Sequence, residues 1–95
     1  MTQGQREILR HFMLRPMMYV EDLEQKQIVA FIHGLEIGDS SLKLTNKLSF
    51  ELDNNYKIKI TGDGWPYQIE RFSKKENMSW FDALKFLTLK LLDAD

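Results

Sequence analysis

The stretch SSLKLTNKLSFELDNNYKIKITGDGWPYQIERF, residues 40–72, can be taken in two ways, and the choice sets the fold class. Leu48, Phe50 and Leu52 alternate, as do Tyr56, Ile58 and Ile60, and the intervening Asp53-Asn54-Asn55 has the composition of a hairpin turn. Leu44, Leu48, Leu52 and Tyr56 instead recur every fourth residue, which stacks them on one helix face. Local propensity favours the hairpin, because Thr, Asn, Ser and Asp are poor helix formers. Beyond the Gly62-Asp63-Gly64 loop, Trp65, Ile69 and Phe72 fall at i, i+4 and i+7, with Pro66 suited to a first helical turn. Trp65, Tyr67 and Ile69 offer a competing strand.

The flanks are clearer. Ile8, Leu9, Phe12 and Met13 predict a helix over residues 3–13, which Pro16 must stop because the residue before proline is pushed out of the α region. Residues 15–20 then read as an extended connector. A second helix is expected over residues 21–38, with Glu21 and Asp22 in its first turn and Gly38 as its stop. Leu23, Ala30, Phe31, Gly34 and Leu35 form its stripe, broadened by Ile28, Ile32 and Ile37. Gly34 in that stripe suggests a close crossing with another element. A last helix runs from Trp80 to about Asp93, N-capped by Ser79 with Asp82 three residues on. It is apolar almost all round, so it belongs at the centre of the fold or under a partner.

Ninety-five residues suit one domain spanning 1–95, and 43% apolar with 28% charged residues is ordinary for a soluble globular fold. A net charge of −1 argues against nucleic acid as a partner. With no cysteine, disulfides, thiolate catalysis and Cys-ligated zinc are excluded. No apolar run approaches the roughly 20 residues that cross a bilayer, and the start, MTQGQREILR, lacks the apolar core of a signal peptide. No membrane association is expected, and a cytoplasmic location is.

Candidate chemistry is sparse. His11 and His33 lack a His or carboxylate at metal-ligand spacing. Ser40, Ser41 and Ser73 lack a nucleophile-elbow context, and Gly62-Asp63-Gly64 is too short to cradle a phosphate. Glu21, Asp22 and Glu24 could hold a cation but are explained by a helix start. The run Arg71, Lys74, Lys75 with Trp65, Tyr67 and Trp80 nearby could stack on nucleic acid, the feature behind an alternative function as a small regulatory or nucleic-acid-binding module. Neither an enzyme nor a cofactor is expected.

Across nearly the whole chain the sequence resembles a group of small bacterial proteins with an R-P-x-M-Y segment, an A-F-x-x-G helix, a central F-x-x-[FWL] segment, W-P-x-x-I and a C-terminal A-[LF]-x-x-[FL] helix. The matching positions are Arg15, Pro16, Met18 and Tyr19, then Ala30, Phe31 and Gly34, then Leu48 and Leu52. They continue at Trp65, Pro66 and Ile69, and end at Ala83, Leu84 and Leu87. Leu35 stands where the group has an aromatic, and residues 57–61 are additional. Many such proteins are similar to immunity proteins, which neutralise a cognate bacterial toxin by binding it. The resemblance implies a mainly α fold, a small domain of about four to five helices. An α+β fold with a hairpin near residues 48–60 is the alternative. It also implies that Met17, Met18 and Tyr19 tuck under the second helix while Arg15 caps carbonyls or pairs with an acid. Where the toxin is a nuclease its cleft is basic, so exposed carboxylates would steer and plug it. The expected contact residues are Glu36, Asp39, Glu51, Asp53 and Asp63, with Tyr56 and Tyr67 as aromatic anchors.

Overall fold

A computed structural model describes residues 1–94. It resolves the ambiguous stretch in favour of helix. Five α-helices follow one another, α1 (Gln3–Leu14), α2 (Gln25–Gly38), α3 (Leu44–Tyr56), α4 (Trp65–Lys75) and α5 (Trp80–Asp93), and there is no strand among the described residues. The fourfold spacing of leucines wins because it alone gives α3 a dry face: Leu44, Leu48 and Leu52 are fully buried, and Tyr56 is half-buried. In a strand Phe50 would share that face. In the helix it turns about 200° from Leu48 and stands 70% exposed. Asp53, Asn54 and Asn55 remain helical, Asn54 donating its side-chain amide to the Phe50 carbonyl at 3.0 Å. The helix ends where Lys57 takes a left-handed conformation, φ 60°, and the Ile58 amide returns to the Leu52 carbonyl.

The expected mainly α fold is therefore the observed one. α5 lies at its centre, packed against α1, α3 and α4, with Phe81, Ala83, Leu84, Leu87 and Leu92 buried. Ser79 caps it by accepting from the Asp82 amide at 3.1 Å. At the start of α1, Thr2 and Gln5 form a reciprocal capping box. Leu9, Phe12 and Met13 bury their side chains in the common core.

Three local expectations need correction. Residues 15–20 are not extended: Pro16–Met18 form a 3-10 turn, since proline at its first position pre-sets φ and needs no donor. α2 begins at Gln25 rather than Glu21, because side chains close a competing turn. Gln27 Oε1 accepts from the Glu21 and Asp22 amides, and Asp22 Oδ1 accepts from the Glu24 amide at 2.8 Å. The buried face of α2 is Ile28 and Ile32, with Phe31 and Leu35 half-buried, whereas Leu23, Ala30 and Ile37 are exposed. No element crosses at Gly34, where an added Cβ would meet nothing within 4 Å.

The link between α3 and α4 has no secondary structure, yet α4 holds it. Gln68, fully buried, donates to the Ile58 carbonyl at 2.7 Å and the Ser49 carbonyl at 3.1 Å. Arg71 donates to the Lys59 carbonyl and Lys75 to the Tyr56 carbonyl. Positions 68, 71 and 75 fall on one side of the helix, so three side chains replace the partners a strand would have supplied.

Candidate partner-binding surface

Of the seven residues expected to meet a partner, five are occupied inside the protein. Glu36 reaches from α2 to the start of α3, where its carboxylate accepts from the Thr45 amide at 2.8 Å and the Thr45 hydroxyl at 2.9 Å. The N-cap position of α3 is Lys43, which has no side-chain acceptor and sits at φ 51°. Glu36 thus supplies both the cap and the negative charge that the N-terminus of α3 lacks. Asp39 accepts from Gln5 Nε2 at 2.7 Å and from both the amide and hydroxyl of Ser41. The Gln5 bond, followed by those from Ser41, holds its carboxyl below its ordinary range.

Glu51 and Tyr56 converge on Lys90 of α5. The ammonium lies 2.9 Å from Glu51 Oε1 and donates to the Tyr56 hydroxyl at 2.9 Å. Only 13% of the Glu51 side chain is exposed, and hydrogen bonds from Lys90 and Asn55 pull its pKa down. The Lys90 pKa is raised, first by Tyr56 and then by Glu51. The Tyr56 ring meets Phe72 edge-on with centroids 4.8 Å apart, so Tyr56 is packing material and not a free anchor. Asp63 bonds the Thr61 hydroxyl and lies 3.6 Å from Arg71.

Asp53 and Tyr67 remain. Tyr67 is 47% exposed on α4. Asp53 makes no hydrogen bond or ion pair among the described residues, and it borders a groove beside α3. That groove, about 370 Å³, is lined by Thr45, Asn46, Ser49, Phe50, Ile60 and Trp65 besides Asp53. Phe50 from α3 and Ile60 from the link, the latter 53% exposed, form its apolar walls, and Asp53 is the one charged residue lining it among the described residues. Trp65 is fixed at the base by donating from its indole N–H to His33 Nε2 at 3.2 Å. That bond requires the unprotonated Nε2 of the ring.

Phe50 and Ile60 were absent from the expected contacts. The signal was present in residues 48–52: once Leu44, Leu48 and Leu52 claim the core, Phe50 has no inward direction left.

The other chemical candidates are held in local structure. His11 Nδ1 and the Tyr19 hydroxyl share a hydrogen bond of 2.6 Å, and His33 is bound by Trp65. Ser73 donates to the Glu70 carbonyl, and Ser41 to Asp39. Glu21, Asp22 and Glu24 are exposed in the turn before α2, outside its first turn. The basic run of α4 is tied to the preceding segment by Arg71 on the Lys59 carbonyl and Lys75 on the Tyr56 carbonyl. Of its aromatic neighbours, Trp65 is buried and Trp80 is half-buried, donating to the Pro66 carbonyl, whereas Tyr67 is exposed. No helix is long and apolar enough to cross a membrane among the described residues, and these include no cluster of His, Cys, Asp or Glu able to hold a metal ion.

No family model matches the chain, and neither a curated protein nor a solved structure matches it.

Proposed function

We propose that the chain is an immunity-type inhibitor, which binds a cognate bacterial toxin and neutralises it by occupancy without chemistry of its own. The supporting observation is the groove beside α3. A phenylalanine 70% exposed and an isoleucine 53% exposed face solvent together, at an energetic disadvantage that a partner would remove. The single unpaired carboxylate at the edge, Asp53, selects the partner's charge. An apolar side chain flanked by Lys or Arg fills the groove and meets the carboxylate, as the rim of a phosphate-binding cleft would present. The groove residues sit on a helix and on a link pinned by Gln68 and Arg71, so little ordering is lost on binding.

The test is protection. In cells producing the toxin encoded beside this chain, Asp53→Lys and Phe50→Ala should each abolish growth rescue while circular dichroism stays unchanged. Glu76→Lys, an exposed acid distant in sequence from the groove, should leave rescue intact. Full rescue by both groove variants would sink the proposal.

A further inference from the structure

Five of the eleven exposed large apolar side chains of the described residues fall within ten consecutive positions. Leu14, Met17 and Met18 are 55, 57 and 69% exposed, followed by Tyr19 and Leu23 at 39 and 45%. The expected burial of both methionines beneath α2 does not occur. Only the tyrosine packs partly against the core: its ring lies 5.6 Å from Phe12 and 5.3 Å from Phe31, with the hydroxyl bound to His11, while its outer edge stays exposed. Val20 is half-buried beside it. Arg15 neither caps a carbonyl nor pairs with an acid among the described residues.

Hydrogen bonds tie the backbone of the exposed segment. The 3-10 turn is closed by the Met18 amide on the Arg15 carbonyl and by the Tyr19 and Val20 amides on the Pro16 carbonyl. The Gln27 side chain ties down the Glu21 and Asp22 amides. The methionines therefore project from a hydrogen-bonded turn, and their unbranched thioethers can fit the contours of an incoming surface. Directly after them come Glu21, Asp22 and Glu24, all exposed. The Glu21 and Glu24 carboxylates have no partner among the described residues, and Asp22 bonds only the Glu24 amide.

We infer that residues 14–24 form a second docking surface, specific for a basic amphipathic helix of a partner protein. Charge decides the occupant. Residues 17–24 carry three carboxylates and no cation, so an apolar stripe set between Lys and Arg is matched on both counts, whereas an acidic helix is repelled. Arg15 and Lys26 bound the segment and confine the negative field to its middle. This surface does not depend on the groove beside α3.

The probe is an 18-residue model helix of Leu and Lys, titrated into the 15N-labelled protein, with a Leu and Glu helix as control. The Lys peptide should shift the amides of residues 14–24, and binding should weaken at least tenfold between low and high salt. Met17→Asp with Met18→Asp, both on exposed side chains, should weaken it tenfold or more, as should Glu21→Lys with Glu24→Lys. Glu76→Gln, an exposed residue outside both surfaces, should leave the peptide affinity unchanged. The inference is overturned if the Lys peptide shifts Phe50, Asp53 and Ile60 instead, or if the Glu peptide binds equally well. Shifts at residues 14–24 that grow with protein concentration alone would assign the surface to a second copy and overturn it too.

Discussion

Removing the Glu36 carboxylate should destabilise the protein, because that carboxylate caps α3. It accepts two hydrogen bonds from Thr45, at 2.8 and 2.9 Å, where Lys43 provides no cap. Losing an N-cap acceptor costs about 1 kcal/mol, and losing a charge at a helix N-terminus a further ~0.3–1 kcal/mol. The hydroxyl bond adds about 0.5–1 kcal/mol, at the low end for a half-exposed site. Glu36→Ala should therefore cost about 2 kcal/mol. At about 4–8 °C per kcal/mol for a domain this size, the midpoint should fall by roughly 8–16 °C. Glu36→Gln keeps an acceptor and should lose less than half of that. Thr45→Val removes the hydroxyl bond alone and should cost about 1 kcal/mol. Denaturant unfolding of Glu36→Ala, Thr45→Val and the double variant gives a coupling energy, expected near 1 kcal/mol. A coupling of zero, with Glu36→Ala within ~0.5 kcal/mol of the parent, would refute the cap and return Glu36 to the candidate contact surface.

Gln68→Leu should cost about 1–3 kcal/mol by releasing the Ile58 and Ser49 carbonyls, partly offset because the Gln68 Oε1 atom is buried without a partner. Gln68→Glu should be worse, placing a carboxylate against two carbonyls, and equal stability of these two variants by urea melts would contradict the donor role. Stability should also depend on pH through Glu51 and Lys90. The Glu51 pKa is depressed in the folded protein, so its contribution is complete above the unfolded value of about 4.3 and is lost as pH falls through the lower folded one. The Lys90 pKa is raised, so its contribution holds below about 10.4 and is lost as pH rises through the folded value. Glu51→Gln should flatten the stability profile in both windows. An unchanged profile would show that the pair contributes nothing.

Much of the fold was legible where burial and periodicity agree. Leu9, Phe12 and Met13, the Trp65, Ile69 and Phe72 series, and the Ser79 cap all behave as their spacing implies. α3 was legible only as an alternative, because its Asn, Asp and Ser residues oppose the helix that its leucines require. Tertiary burial outweighs such propensities, which differ by tenths of a kcal/mol per residue. The start of α2 was misplaced because acids near a helix beginning look alike whether they lie inside it or in the turn before it. Only the Gln27 side chain, pointing back along the chain, separates the two.

The surroundings of the candidate contact residues were the least legible part. Acids were singled out for being charged and near loops, but a carboxylate's availability depends on what lies opposite. Glu36, Asp39 and Glu51 find Thr45, Gln5 and Lys90 across distances of 9, 34 and 39 residues in the chain. No local pattern encodes those meetings.

The packing of α5 also dictates an order of assembly. α3, α4 and α5 are consecutive, and each touches the next, so they can condense through contacts between near neighbours in sequence. α1 has its partner at the far end of the chain, where Arg10 meets Asp93 at 2.9 Å and Arg6 reaches the Leu92 carbonyl. Its docking closes a loop of more than eighty residues, whose entropy must be met before any contact forms. Contact order thus makes the three-helix unit the expected nucleus, with α1 docking onto it afterwards.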